Sequence, residues 1–294
     1  MPTLVTDRGI VHYEVYGRGR PVILLHGWLG SWALWRDTIE ELGKEFRTYA
    51  IDFYGYGDSV EHTGDFSVSN HVELVNQFMD KLGIVKAPLV GHSMGGTVSL
   101  AVAAHYPEKV VKVAVIGSPV EGKSLNPLLK MVGYRGIAQL AYKTPFVLPI
   151  TIFLLTRLGS RASGRIHRMV REDASKVSLN AFFQSIGTLR DTDLSDDLHD
   201  LDMPILGCYG KSDIIVNPKQ GKVLCEAAPT AKEAWFSHSG HFLMMDEQEK
   251  FITTLTQFLK NGTPNQATQQ RTAQDLPICT ASQQPQNKKL TTNL

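Results

Sequence analysis

Short apolar runs rich in β-branched residues recur along the chain at 11–16, 21–25, 48–51, 88–90, 110–116, 204–206 and 234–236. The first alternates apolar with polar positions, the pattern of an antiparallel strand with one wet face. The run at 21–25, Pro-Val-Ile-Leu-Leu, is continuously apolar, as strands buried on both faces must be. Between the runs lie segments of helical character near 34–45, 68–82, 95–105, 218–228 and 247–260. Strand alternating with helix predicts an α/β fold: a mostly parallel sheet covered by helices on both faces. From 121 to 201 no convincing strand occurs, and strands then resume, which predicts a helical insertion within one domain. The division is therefore a core of 1–120 and 202–262, an insertion of 121–201, and a tail of 263–294. That tail is polar and Gln-rich and cannot bury enough surface to offset its ordering entropy, so disorder is expected there.

Composition narrows the function classes. The chain has 294 residues, 43% of them hydrophobic, too many for a disordered protein. A net charge of +1 supplies no global field for nucleic acid. Cys208, Cys225 and Cys279 form a sparse, odd set without metal-ligand spacing, which argues against a disulfide framework and a zinc site and fits a reducing, cytoplasmic setting. The first residues lack a basic start followed by an apolar run. The longest apolar stretch, 146–155, is far shorter than the roughly 20 residues a membrane-spanning helix needs. The expectation is a cytoplasmic protein, at most peripheral to a membrane.

The strongest chemical signal is Gly91-His92-Ser93-Met94-Gly95-Gly96. It joins an apolar run ending at Val90 to a helix of small residues. A serine on a sharp strand-to-helix turn needs small neighbours, and the helix N-terminus offers N–H groups to an oxyanion. A hydroxyl is a poor nucleophile until a base takes its proton. His241, on the loop after the last apolar run, is the candidate. His238 is expected still on the strand, and His92 is expected to turn away from the nucleophile. The base needs a carboxylate to fix its tautomer. Asp213 follows the run at 204–206, whereas the run at 110–116 ends in Gly117-Ser118-Pro119 with no acid. Asp58, in the loop Asp52 to Ser59, precedes the serine and is the weaker rival.

These residues resemble the α/β-hydrolase superfamily over about residues 9–260, in the order serine, aspartate, histidine. His26-Gly27-Trp28 resembles that family's oxyanion loop, so the resemblance implies that the backbone N–H groups of Trp28 and Met94 form the oxyanion hole. Asp52 to Ser59 resembles its D-x-x-G-x-G-x-S turn, a structural element. The insertion falls where the family places its lid. A serine at the elbow, rather than an aspartate, implies acyl transfer to water, with neither cofactor nor metal.

Between Glu121 and Arg190 stand eleven lysines and arginines against three acids. Arg157, Arg161, Arg165, Arg168 and Arg171 would share one side of a helix. Such a stripe suits an anionic membrane surface, an acyl carrier protein or a substrate carboxylate; a solvated face is the plain alternative. The leading expectation is a serine hydrolase cleaving a small-molecule ester with a hydrophobic acyl group. Three others stay open: a thioesterase or carrier-linked ester hydrolase resembling the pimeloyl-carrier methyl esterase subgroup, a cofactor-free perhydrolase of haloperoxidase type, and a non-catalytic ligand- or membrane-binding module. The spacing of His241 and Asp246 resembles a pattern in acyltransferase-like relatives, but an acid at a helix start has a simpler reason in the helix dipole.

Overall fold

The computed structural model describes residues 2–132 and 163–261. Among the described residues nine strands form one sheet: β1 (Thr3–Val5), β2 (Gly9–Tyr16), β3 (Pro21–Leu25), β4 (Arg47–Ile51), β5 (Val60–Glu61), β6 (Ala87–His92), β7 (Val110–Ile116), β8 (Ile205–Gly210) and β9 (Ala231–Phe236). The order is β1-β2-β4-β3-β6-β7-β8-β9, with β5 beside β2. Pairings that involve β2 are antiparallel, and every step from β4 to β9 is parallel.

The continuous apolar strands are explained by what covers them. In β3, Ile23 and Leu25 enter one core cluster while Val22 and Leu24 enter another; β7 divides Val113 and Val115 from Ala114 and Ile116 in the same way. Helices α2 (Val68–Lys81) and α3 (Met94–His105) cover the first face with Val75, Phe78, Val98 and Leu100. The second is covered by α1 (Arg36–Leu42) and the last described helix, Gln248–Lys260, with Ile39, Leu42, Phe251 and Leu255. In α2 the buried Val68, Val72, Val75 and Met79 repeat at helical spacing, and Ser67 caps the N-terminus by accepting the Asn70 N–H. Helix α3 is buried nearly all round, so it needs small residues. A Cβ on Gly95 would lie 2.3 Å from the Leu25 carbonyl oxygen, a distance no packing adjustment tolerates.

Between β7 and β8 the described residues contribute helices and no strand of the sheet: α4 (Pro127–Val132), α5 (Ser163–Ala174) and α6 (Leu179–Asp191). Helices α7 (Gln220–Ala227), α8 (Leu243–Asp246) and α9 (Gln248–Lys260) complete the described residues. The stretch 263–294, expected to be disordered, and the apolar run 146–155 lie outside the described residues. Among the described residues no helix is long and apolar enough to cross a membrane.

Three readings need correction. Strands β1 and β5 were not foreseen. His238 lies beyond the end of β9, exposed, with its N–H donated to Glu247. Cys208 is a free thiol pushed up to about 12 by burial, but Cys225 is disulfide-bonded, against the expectation from so sparse a cysteine set.

Candidate active site

Ser93 sits between β6 and α3 with φ 52° and ψ −120°. Among the described residues only one other non-glycine residue has positive φ, Leu29 at 59°. Both line one cavity, together with Trp28, His92, His241 and Phe242. Strain of this kind persists only where the surroundings over-determine it, and it concentrates at functional sites. At Ser93 the surroundings are the N–H bond to the Ile116 carbonyl at 2.9 Å and the carbonyl's acceptance of the Gly96 N–H.

The fold brings the side chains of His241 and Asp213 together. His241 Nδ1 donates to Asp213 Oδ2 at 2.8 Å, with both residues buried. The other oxygen, Oδ1, accepts the Ile215 and Val216 N–H groups at 2.8 and 3.0 Å, which fixes the carboxylate's orientation. The missing acid after β7 also has a structural reason. Gly117 has φ 55°, and a Cβ there would stand 3.2 Å from His241 Nδ1 and 3.3 Å from Asp213 Oδ2. The β7 end thus makes room for the pair.

The loop carrying Trp28 is tied down on several sides. His26 donates through Nδ1 to the Gly27 carbonyl at 2.7 Å and accepts the Phe53 N–H on Nε2 at 3.0 Å; burial holds this ring neutral by lowering its pKa. Trp28 Nε1 donates to the Phe182 carbonyl of α6. Met94 opens α3, and the first N–H groups of a helix have no intrahelical acceptor. In the Asp52 turn, Asp52 accepts from His12 Nδ1 and from the Trp32 and Asp58 N–H groups. His12, Asp52 and Asp58 also form the one cluster with metal-ligand spacing among the described residues, but these bonds already use the Asp52 oxygens.

Of the five arginines proposed as a stripe, Arg157 and Arg161 lie outside the described residues. Arg165, Arg168 and Arg171 fall on α5, all exposed, so the helix expected there exists from Ser163 onward. Arg165 is engaged within the chain, donating to both Asp37 oxygens at 2.8 and 2.6 Å. The distant Asp246 has a local duty: it accepts the Gly240 N–H, next to His241.

One site neighbour had no sequence signal. Asp173, on α5, accepts the Ser31 hydroxyl at 2.8 Å, while its Oδ2 is buried without a hydrogen-bond partner. Burial pushes this carboxyl up to about 6, with the Ser31 bond acting in the opposite direction. The folded protein therefore keeps the proton to higher pH than the unfolded chain. Its ionisation lowers stability as pH rises from about 4, and the loss levels off above about 6. Asp173→Asn cannot ionise. Relative to the parent, it is expected to gain roughly 2 kcal/mol between pH 4.5 and pH 8. Melting temperatures of both proteins across that range check this; a constant gap between them refutes it.

Comparison with known proteins agrees with the fold. A family model described as the alpha/beta hydrolase fold matches residues 20–248. A pimeloyl-[acyl-carrier protein] methyl ester esterase of Vibrio campbellii is 30% identical over 84% of this chain and 98% of its own length. The protein of the same name from Vibrio parahaemolyticus is 27% identical over 85% and 98%. Among solved structures, the enol-lactonase of Burkholderia xenovorans superposes with a TM-score of 0.78 at 20% identity, covering 88% of this chain and 100% of that one, a likeness of fold. The chain belongs to the alpha/beta-hydrolase family.

Proposed function

We propose that this protein hydrolyses carboxylic esters with an apolar acyl group through an acyl-serine on Ser93, and that the acyl group arrives on an acyl carrier protein. The observation that carries the ester reading is the 2.8 Å bond from His241 Nδ1 to Asp213, behind an imidazole that shares a cavity with the strained Ser93. In this reading His241 takes the Ser93 proton as the oxygen attacks the ester carbonyl. Asp213 holds the tautomer and stabilises the imidazolium. The Trp28 and Met94 N–H groups receive the oxyanion, each contributing about 3–4 kcal/mol to the barrier reduction. His241 then hands the proton to the leaving alcohol, and water, deprotonated by His241, releases the acid. No cofactor enters. Leu125, Leu129, Val170, Ile186, Leu189 and Ile215 line the cavity and suit an alkyl chain. Most of these belong to the 121–201 segment, which we read as a lid.

The carrier half rests on the two Vibrio relatives and on α5. Arg168 and Arg171 are exposed there, and among the described residues neither has an ion-pair partner. Reversing both to Glu should raise KM for a carrier-linked methyl ester by about 10-fold or more through lost charge complementarity. KM for a small p-nitrophenyl ester should stay within about 2-fold, since that substrate brings no carrier protein to meet the exposed arginine face of α5. Equal changes for both substrates would remove the carrier from the proposal. Faster turnover of the matching carrier thioester would move the activity to thioester hydrolysis. In this reading the protein works in the cytoplasm, and anionic vesicles should leave its rate unchanged.

A further inference from the structure

His92 precedes the nucleophile in the chain, yet its side chain serves the base. The residue is 2% exposed. Its Nε2 lies 3.0 Å from the backbone carbonyl oxygen of His241. A carbonyl only accepts, so Nε2 carries the hydrogen and the tautomer is fixed. Burial, reinforced by the neighbouring His241, lowers the ring's pKa well below the ordinary range and keeps it neutral. The two imidazole centroids are 4.6 Å apart, and the His92 ring also packs 5.2 Å from that of Phe242.

This bond joins two segments that nothing in local sequence connects. His241 lies on an irregular loop between β9 and α8. Ser239 is pinned there by the Ser212 N–H at 3.1 Å, and Gly240 by Asp246 at 3.0 Å. Asp213 grips the imidazole of His241, and His92 grips its backbone. A ring held by one nitrogen can still pivot about that bond; a second hold on the main chain removes that freedom. Because His92 and Ser93 are consecutive on the strained elbow, the second hold is referenced directly to the nucleophile.

We infer that His92 is a positioning residue whose Nε2–H, bound to the His241 carbonyl, sets the distance between the Ser93 hydroxyl and the imidazole that deprotonates it. The inference rests on the reading of Ser93 as nucleophile and His241 as base. Proton abstraction needs heavy-atom separations of about 2.6–3.2 Å, and a misplacement of about 1 Å costs on the order of 100-fold in rate.

The test uses the full chain with two substitutions at one position. His92→Phe keeps the ring volume and removes the donor. His92→Gln places an amide N–H where it can reach the same carbonyl. With p-nitrophenyl acetate, the Phe variant should lose about 10- to 100-fold in kcat, with KM within about 3-fold. Its rate of labelling by a fluorophosphonate should fall by the same factor, and the downfield proton signal of the His241–Asp213 bond should shift or broaden. The Gln variant should recover to within about 5-fold of the parent. A purely structural role would instead lower the melting temperature of both variants while leaving kcat per folded molecule and the downfield signal unchanged, and that outcome overturns the inference. So does a folded Gln variant no faster than Phe. A parent protein that takes no fluorophosphonate overturns the Ser93 reading itself, and this inference with it; a labelled parent with a normally labelled Phe variant overturns this inference alone.

Discussion

Ser93→Ala is expected to reduce p-nitrophenyl ester hydrolysis by about 10⁴- to 10⁶-fold while leaving the melting temperature within a few degrees of the parent. The two halves of this result come from different parts of the residue. The hydroxyl oxygen is the only atom removed, and in the proposed mechanism it is the atom that bonds to the acyl carbon. Alanine keeps the Cβ, so the backbone strain at φ 52° is neither relieved nor increased. The N–H bond to Ile116 and the carbonyl bond to Gly96 also remain. Mass spectrometry of the intact protein gives the second check: the parent should gain one phosphonyl group from a fluorophosphonate, and the Ala variant none. Equal labelling of both proteins would place the reactive group elsewhere, and equal turnover would end the acyl-serine proposal.

Much of this fold was legible because burial on both faces leaves a strand no polar positions to hide among. β3 and β7 were read at their full lengths for that reason. β1 and β5 were not, since three and two residues with mostly exposed side chains carry no hydrophobic pattern. β9 begins three residues earlier than its apolar run, at Ala231-Lys232-Glu233. It is a sheet edge, where Lys232 stays exposed.

The site divides along the same line. Ser93, Asp213 and His241 stand out as candidates in the sequence because each follows a strand, and a parallel sheet gathers the ends of its strands on one side. Their supports were not readable. His92 binds a backbone carbonyl 149 residues away, and no side-chain identity signals such an acceptor. Asp173 counted in sequence as one acid beside a basic stripe; only tertiary packing buries it against Ser31. Arg165 likewise looked free for a partner until α5 was set beside α1 and Asp37.

Asp213→Asn should lower kcat by about 10⁴-fold with little change in KM, and the orientation of the new amide explains why so small a change weighs so much. The carboxylate serves donors on both sides: two backbone N–H groups on Oδ1 and the imidazole Nδ1–H on Oδ2. An amide has one oxygen. Turning that oxygen toward His241 would aim the NH₂ at the Ile215 and Val216 donors, leaving two buried N–H groups unpaired at about 1–3 kcal/mol each. Turning it toward Ile215 and Val216 keeps both bonds and presents the NH₂ to His241. The second arrangement therefore prevails. It makes Nδ1 an acceptor and moves the imidazole proton to Nε2, the nitrogen that takes the serine's proton in the proposed mechanism. Folding is preserved and the base is in the wrong tautomer. Proton NMR should show the downfield Nδ1–H resonance of the parent lost from the variant, alongside the fall in kcat. An Asn variant within about 10-fold of the parent would mean that Asp213 only holds the loop after β8, and that another group orients the base.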